Sequence, residues 1–420
     1  MKYVLKNKDR AVLEFEVITK KSFIEALQEN SYTNEIANIK IIDNKMLPNN
    51  IDRQDLTNSL MQWINGRKAP KNREFIDEIV ATYSHINKQE GLMDYIDISL
   101  GLSLNDSYWI IPANQNYEWQ KYNLYANDFD KALELVAFSG NSHKAVGITS
   151  SPEYTTNGML KKCWHRDNGQ IYLYKGCVSA NYKQSNVGKE AYSEYYMAQI
   201  AEVLEFEHIS YDLKEFHGQI VSTCPLFTNE NEGYMAIYYL LDKQSLQKRG
   251  LETIDPLSNI YGRESLQNLM LFDGIICNKD RHLGNFGMII DNNTNAILRP
   301  APIFDNGFSM INFLHEDELN NIIEATKKYQ SKLDKSFDEQ TRLFVQPRHI
   351  PNLERLKTFE FKRHKAFNLP DSWLEPIQKA LQDRANLALE FAYQKDKKLQ
   401  IAKTKDIAKT KQRDNEIEMR

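Results

Sequence analysis

The chain has 420 residues, of which 41% are hydrophobic and 26% are charged, and its formal net charge is −4. This length predicts two or three domains, and the charge balance argues against direct nucleic-acid binding and against docking on an anionic membrane. The four cysteines include no CxxC pair, so reduced thiols fit better than a zinc site or disulfides. Charges interrupt the N-terminus too early for a signal peptide, and no apolar run reaches the length of a membrane span. We expect a cytoplasmic protein.

Residues 1–125 have a mixed pattern that predicts an accessory or docking region. VLEFEV at 12–17 favours a strand, and APKNREFIDEIVATY at 69–83 has the apolar spacing of a helix. ISLGLSLNDSYWIIP at 98–112 indicates a loop followed by a short strand. No combination of side chains in this region points to catalysis.

Residues 126–245 have a strand-rich pattern. MLKKCWH at 159–165 and IYLYK at 171–175 favour strands, and the Asn168-Gly169 pair between them predicts a hairpin whose second arm ends near Lys175. Residues 189–204 have helical spacing without Gly or Pro inside the run. GYMAIYYLL at 233–241 predicts a buried strand.

Helical patterns dominate from residue 246 to 393. ESLQNLMLFDGII at 264–276 predicts an apolar helix that runs into ICNKDRHLGNFGMIID at 276–291. FGMII and AILRP then bracket the polar turn DNNTN, which indicates a short hairpin. Residues 394–420 are highly charged and predict a solvated helix or a disordered tail.

Polar side chains recur in an order that suits phosphoryl transfer from ATP. Asp280 and Asn285 follow the apolar helix, and Asp305 comes directly after the hairpin. Upstream, Lys175 ends a strand, and the next helix carries acidic residues. A carboxylate and an amide are suitable ligands for Mg²⁺, and a second carboxylate can accept the proton of an attacking hydroxyl. Taken alone, the Asp280 and Asn285 spacing is weak evidence, because such pairs occur by chance.

The segments NKDRHLGNF and PIFDNGFS resemble the HipA-type Ser/Thr kinases. DRHLGN is also similar to the catalytic segment of phosphatidylinositol kinases. The resemblance covers roughly residues 140–390. It implies an α+β, two-lobed kinase-like fold with a β-rich N-lobe at 126–245 and a helical C-lobe at 246–393. These lobes would follow the accessory region at 1–125 and precede a charged tail at 394–420.

The resemblance also implies a role for each matching residue. Asp280 would be the catalytic base, Asn285 and Asp305 the Mg²⁺ ligands, and Lys175 the residue that binds the ATP phosphates. The helix segment SEYYMAQIA selects Glu194 over Glu190 as the partner of Lys175. His282 would brace the catalytic loop, although a plain buried histidine is the alternative, and Arg281 receives no role. If Lys175 is not the phosphate-binding residue, Lys161 or Lys162 is the alternative.

The phosphate-binding loop departs from the pattern of the family. GITSSPEYTTNGML at 147–160 lacks the G-x-G-x-x-G arrangement, so backbone N–H groups of a hydroxyl-rich turn would form the cradle. The nucleotide-binding candidates are Thr156, Asn157, Gly158, Tyr238 and Leu240. HipA-type proteins can phosphorylate a serine in this loop, which makes Ser150 and Ser151 autophosphorylation candidates, the alternative being a plain turn.

The sequence therefore predicts a kinase that uses Mg²⁺ and ATP to phosphorylate Ser or Thr on a protein, and also on itself. The toxin half of a toxin–antitoxin-like pair, with an antitoxin-like protein partner, is one setting for such a kinase. A lipid or small-molecule kinase of the same fold is an alternative, because the same residues handle ATP and not the acceptor. A non-catalytic nucleotide-binding or partner-binding regulator is the other alternative, which the joint presence of all four ATP-site residues disfavours.

Overall fold

The computed structural model describes residues 1–24, 29–81, 92–140, 151–155, 158–177 and 188–418. It has the predicted α+β class, with antiparallel sheets and many helices. The chain divides into two compact units. Unit 1 comprises Met1–Ala191, Ile209–Asp242 and Phe286–Pro302. Unit 2 comprises Tyr192–His208, Lys243–Asn285 and Ile303–Arg420.

Unit 1 contains three antiparallel sheets in its described residues. Their strands are β1 (Lys2–Asn7), β2 (Arg10–Ile24), β3 (Glu29–Ile41), β4 (Tyr108–Pro112), β5 (Lys162–Asp167), β6 (Gln170–Lys175), β7 (Asp212–Phe216), β8 (Gln219–Pro225), β9 (Glu232–Ala236), β10 (Gly287–Asp291) and β11 (Ile297–Pro300). The strand orders are β3-β2-β1-β4, β5-β6-β8-β7 and β11-β10-β9. One apolar core covers the first sheet, and a smaller one includes Phe138, Cys163, Tyr174 and Val221.

Unit 2 is predominantly helical. In chain order, the α-helices of the described chain are α1 (Leu56–Asn65), α2 (Ile76–Ala81), α3 (Asp94–Ser99), α4 (Trp119–Tyr122), α5 (Lys131–Ser139), α6 (Glu190–Val203), α7 (Lys243–Gln247), α8 (Ile254–Tyr261), α9 (Arg263–Ile276), α10 (Met310–Phe313), α11 (Ile322–Thr326), α12 (Phe337–Phe344), α13 (Ile350–Leu356) and α14 (Asp371–Glu418). The 3₁₀ helices are Pro152–Thr155, Ile237–Leu240, Gly250–Thr253, Glu316–Asn321 and Pro347–His349. Helices α1–α5 belong to unit 1, and α7–α14, with all but the first two residues of α6, belong to unit 2.

The hairpin predicted around Asn168-Gly169 is confirmed. Strands β5 and β6 pair from Lys162 opposite Lys175 to Asp167 opposite Gln170. Asn168 and Gly169 have φ values of 49° and 83°, the positive values that a two-residue hairpin turn of type I′ requires at both positions. Lys175 is therefore the last residue of β6, as the sequence pattern indicates.

The strand predicted over 233–241 is only half right. Strand β9 ends at Ala236, which pairs with Gly287 at the start of β10, and the chain then turns into a 3₁₀ helix. The ladder ends there because β10 begins at Gly287. Tyr238 and Tyr239 are 48% and 43% exposed, whereas Ile237 is fully buried, so the second half of the segment is buried only in part.

The helix predicted over 69–83 is shorter than expected, and its last two residues lie outside the described residues. Helix α2 begins at Ile76, because the preceding backbone makes tertiary contacts. The N–H of Glu74 donates to the carbonyl of Met159, and Phe75 has a φ of 63°, which breaks helical geometry. The predicted helix at 264–276 matches α9 almost residue for residue.

The charged residues 394–418 form the last part of helix α14, which ends at Glu418. Of the two predictions for this region, a helix and a disordered tail, the structure therefore agrees with the helix. Among the residues that the structure describes, no helix combines the length and the apolar character needed to cross a membrane.

Candidate active site

The loop of residues 278–285, here called the catalytic loop after the role that the sequence predicts for it, begins where α9 ends. Cys277 caps the helix in the left-handed conformation, with φ 55° and ψ 48°, and its buried side chain anchors the turn. Asn278 then accepts the N–H of Asp280 on its Oδ1 at 3.0 Å. The carbonyl of Asp280 accepts Nδ2 of Asn285 at 3.1 Å. These bonds fix the backbone of Asp280 relative to the amide of Asn285.

A buried ion pair joins the catalytic loop to α9. Arg281 and Asp273 lie 3.0 Å apart between Nε and Oδ2, and their side chains are 3% and 1% exposed. Asn278 Nδ2 donates to the same carboxylate at 3.1 Å. Breaking such a pair leaves an uncompensated buried charge, so the two residues depend on each other.

The guanidinium of Arg281 also connects the two segments that carry the predicted metal ligands. Its Nη1 donates to the carbonyl of Asn285 at 2.8 Å and to the carbonyl of Phe304. Its Nη2 donates to Oδ1 of Asn306 at 3.0 Å. One side chain thus ties the catalytic loop to the residues on both sides of Asp305. The sequence held one signal of this role, the acidic Asp273 within LMLFDGII, the apolar second half of α9.

The charge state of this pair depends on the balance between burial and the attraction of the two groups. Burial raises the pKa of the Asp273 carboxyl, and the adjacent Arg281 guanidinium opposes that rise. Burial likewise disfavours the charged guanidinium, but the Asp273 carboxylate outweighs it and the pKa of Arg281 is raised. With three donor contacts from Arg281 and one from Asn278, the geometry is that of a carboxylate paired with a guanidinium.

Helix α6 also holds residues 304–306, here called the Asp305 segment. Glu194 Oε2 accepts the N–H of Asn306 at 2.7 Å, and Ser193 Oγ donates to the carbonyl of the same residue at 2.8 Å. Asp305 itself has a φ of 59°, a conformation that Asp tolerates better than most residues. Glu194 is buried and positions the Asp305 segment, a role that sequence reasoning missed. Its pairing with Lys175 stays a prediction.

His282 is exposed, so the alternative of a plain buried histidine is wrong. Its Nδ1 accepts the N–H of Gly284 at 3.0 Å. A Cβ on residue 284 would lie 2.9 Å from Cε1 of His282, so the glycine allows the ring to sit against the backbone. The imidazole therefore braces the catalytic loop locally.

Two lysines lie beside Asp280 in unit 2. Nζ of Lys332 is 3.4 Å from Oδ1 of Asp280. Nζ of Lys279 instead lies between the rings of Phe308, Phe313 and Tyr329, at 4.7 to 4.9 Å from their centroids. Burial lowers the pKa of Lys279.

The remaining predicted residues belong to unit 1. Lys175 pairs with Lys162 on β5 and with Ser222 on β8. Gly158 has a φ of 95°, and its carbonyl accepts Nε of Arg73 at 2.8 Å. A Cβ there would lie 2.6 Å from Nζ of Lys162, so this lysine packs against the turn.

The other sequence-predicted residues of unit 1 differ in their exposure, and three of them lie outside the described residues. Ser151 is buried, and its Oγ accepts the N–H of Glu153 at 3.5 Å. Tyr238 is exposed, and Leu240 is half-buried in the same 3₁₀ helix. Ser150, Thr156 and Asn157 lie outside the described residues.

The two predicted metal ligands suit Mg²⁺ in chemical type. In the described ranges, no group of three or more His, Cys, Asp or Glu side chains is placed to hold a metal ion. Mg²⁺ does not need such a group, since it retains waters and takes phosphate oxygens beside one or two protein ligands. Nδ2 of Asn285 is bonded to Asp280, which leaves Oδ1 as the atom for a cation. Arg281 donates to the carbonyls of Asn285 and Phe304, and so connects Asn285 to the Asp305 segment.

Neither a family model nor a curated protein matches the sequence. Among solved structures, the chain is similar to the Helicobacter pylori proinflammatory kinase CtkA, at 17% identity and a TM-score of 0.45, over 57% of this chain and 93% of that one. It is also similar to the Shewanella oneidensis MR-1 toxin–antitoxin system HipA, HipB and operator DNA complex, at 11% identity and a TM-score of 0.47, over 91% of this chain and 96% of the matched chain. At such low identities, the activity has to be inferred from this chain's own side chains.

Proposed function

We propose that the chain is a Mg-ATP-dependent kinase that phosphorylates a Ser or Thr hydroxyl on a protein, itself included. The observation that carries the proposal is the link made by Arg281. It joins the loop with Asp280 and Asn285 to the segment with Asp305, so the three side chains proposed to act in phosphoryl transfer share one buried support.

Each of these side chains has a distinct part in the proposed reaction. The carboxylate of Asp280 is 44% exposed and can accept the proton of an acceptor hydroxyl. Asn285 and Asp305 would hold Mg²⁺, which would offset the negative charge of the ATP phosphates. Because Arg281 and Asp273 neutralise each other, the buried guanidinium does not repel a cation held nearby.

The roles proposed for residues of unit 1 come from the sequence pattern. Lys175 would bind the ATP phosphates, and the segment 156–158, whose first two residues lie outside the described residues, would supply backbone N–H groups. Tyr238 and Leu240 would contact the nucleotide. The resemblance of the catalytic segment to HipA-type kinases supports an antitoxin-like protein partner, and DNA contact by this chain is not part of the proposal.

The first prediction tests the reaction itself. The purified protein, incubated with Mg-ATP and with dephosphorylated casein as a probe acceptor, should gain the mass of a phosphate group or transfer one to casein, and should release ADP. Asp280→Ala should lose transfer by about 10²-fold or more while it still binds ATP, because the proton acceptor and not the nucleotide site is removed. Intact-mass spectrometry and an ADP assay measure both effects.

Two other outcomes would contradict parts of the proposal. If Asp280→Ala transfers phosphate at the wild-type rate, Asp280 is not the base. If the wild type binds ATP but neither modifies itself nor casein, a protein-kinase activity is not supported. A further arm with phosphatidylinositol vesicles then tests the lipid-kinase alternative.

A further inference from the structure

The ammonium group of Lys332 lies beside Asp280, the proposed base. The order of motifs along the chain does not predict this contact. The Nζ atom of Lys332 lies 3.4 Å from Oδ1 of Asp280, and the two side chains are 49% and 44% exposed. Both groups are therefore accessible from solvent. Lys332 lies in a turn between α11 and α12, far along the chain from the catalytic loop.

Fold stability does not explain this pair. An ion pair that is half exposed on both sides contributes little to stability, since water screens the attraction and the ordered side chains lose entropy. The backbone around Lys332 is nevertheless well fixed. The N–H of Ser331 donates to the carbonyl of Lys335 at 2.9 Å, and the neighbouring Leu333 is buried. The turn thus holds Lys332 in place while its ammonium stays accessible.

The other lysine beside Asp280 also interacts electrostatically with its carboxylate, but its ammonium group makes different contacts. Lys279 precedes Asp280 directly, but its ammonium lies among the rings of Phe308, Phe313 and Tyr329. Its backbone N–H also donates to the carbonyl of Phe308 at 3.3 Å. Lys279 therefore connects the catalytic loop to the residues that follow Asp305. The ammonium group of Lys332 instead contacts the carboxylate of Asp280 directly.

We propose that Lys332 is a catalytic residue that contacts the phosphoryl group during its transfer. The inference rests on the proposed kinase function. In the transfer, the acceptor oxygen forms a bond to the γ-phosphorus, and the bond from that phosphorus to the β–γ bridging oxygen breaks. ADP leaves with the electron pair, and the acceptor proton passes to Asp280. Lys332 stays protonated throughout and gains or loses no bond.

Electrostatics gives the reason for a cation at this position. The carboxylate of Asp280 must lie close to the acceptor oxygen, so it also lies close to an incoming phosphoryl group that carries negative charge. Unopposed, the two anions repel each other. An ammonium that contacts Asp280 cancels this repulsion and stabilises the charge that develops in the transition state.

The test uses the 420-residue chain and four variants of single lysines. Lys332→Ala removes the cation, Lys332→Arg keeps it, and Lys332→Met keeps most of the side-chain volume without charge. Lys327→Ala is the matched control, because Lys327 lies on the same stretch of chain, is exposed and pairs with Glu324. The assay follows ³²P transfer from γ-labelled Mg-ATP to the protein itself and to dephosphorylated casein.

Lys332→Ala and Lys332→Met should lower kcat by about 10²-fold with little change in KM for ATP, as expected when one transition-state contact is lost. Lys332→Arg should recover most of the rate, and added ethylammonium should restore part of the activity of Lys332→Ala. Lys327→Ala should behave as the wild type.

Several results would overturn the inference. Lys332→Ala that matches Lys327→Ala, in an active wild-type background, would remove Lys332 from catalysis and leave the kinase proposal intact. A loss of rate that neither arginine nor ethylammonium restores would indicate a structural role. A rise in KM for ATP at constant kcat would place Lys332 in nucleotide binding instead. A wild type that transfers no phosphate would overturn both proposals.

Discussion

At the scale of single residues, the site is organised by a side chain that carries out no chemistry. Arg281 has no assigned role in the sequence pattern, yet its guanidinium donates to Asp273, Asn285 and Asn306. A planar group with five donors can serve several acceptors at once, whereas a lysine ammonium is a single point of charge. The identity of this residue, and not only its charge, should therefore matter.

The second prediction concerns that identity. Arg281→Lys should keep a positive charge beside Asp273 but lose the link between the catalytic loop and the Asp305 segment, so phosphoryl transfer should fall by about 10²-fold. Arg281→Ala should in addition lower the free energy of unfolding by about 3–5 kcal/mol, because Asp273 is left buried and unpaired. Transfer assays and urea unfolding measure the two effects.

Arg299→Lys is the control for this experiment. Arg299 also makes a bidentate ion pair, with the carboxylate of Glu232. Both of these side chains are partly exposed, at 45% and 31%. Replacement of Arg299 should change stability by less than about 1 kcal/mol. If Arg281→Lys is equally mild, the guanidinium link does not position the site.

At the scale of elements, close approach of two backbones fixes the strand that follows the catalytic loop. Strands β9 and β10 pair from Glu232 opposite Asp291 to Ala236 opposite Gly287. A Cβ on Gly287 would lie 2.1 Å from the carbonyl oxygen of Met235 and 2.8 Å from Cα of Ala236. Both neighbours are backbone atoms, so neither can move aside cheaply. Position 287 requires a glycine for steric reasons.

The third prediction follows from this contact. Gly287→Ala should lower the free energy of unfolding by about 2–4 kcal/mol, since the pairing of β9 with β10 has to open to admit the methyl group. Gly66→Ala is the control: Gly66 has a φ of −67°, and the nearest backbone atom to its added Cβ is 3.4 Å away. That change should be close to neutral. Equal urea midpoints for the two variants would contradict the steric argument.

At the scale of the whole molecule, a buried acid couples folding to pH. Burial raises the pKa of Glu153 to about 8 from the ordinary value of 4.5, and the nearby Arg73 opposes the rise. Its Oε1 accepts the N–H of Trp164 at 2.9 Å. Between these two pKa values the folded chain keeps a proton that the unfolded chain releases. The contribution of Glu153 to stability is therefore present below about pH 4.5 and is lost as the pH rises through about 8.

The fourth prediction uses Glu153→Gln, which imitates the protonated acid and still accepts from Trp164. The free energy of unfolding of the wild type, minus that of the variant, should fall by about 2–4 kcal/mol between about pH 5 and about pH 8. Other titrating groups are common to both proteins and cancel in the difference. Urea unfolding at a series of pH values measures it, and a constant difference would show that Glu153 is ionised in the folded protein across this range.

The sequence by itself determined those features that depend on neighbouring residues. The hairpin at Asn168-Gly169 follows from two residues that tolerate positive φ, and α9 follows from an uninterrupted apolar period. The sequence also determined the order of Asp280, Asn285 and Asp305 along the chain, which is what the resemblance to HipA-type kinases depends on.

Only the tertiary structure decided how distant segments support those residues. The bonds from Arg281 to Phe304, from Glu194 to Asn306 and from Lys332 to Asp280 join residues with no shared period or motif. The helix predicted from residue 69 begins only at Ile76 for the same reason, since the N–H of Glu74 donates to the carbonyl of Met159. Local patterns record the conformational preferences of the backbone, whereas such contacts depend on which segments the packed cores bring together.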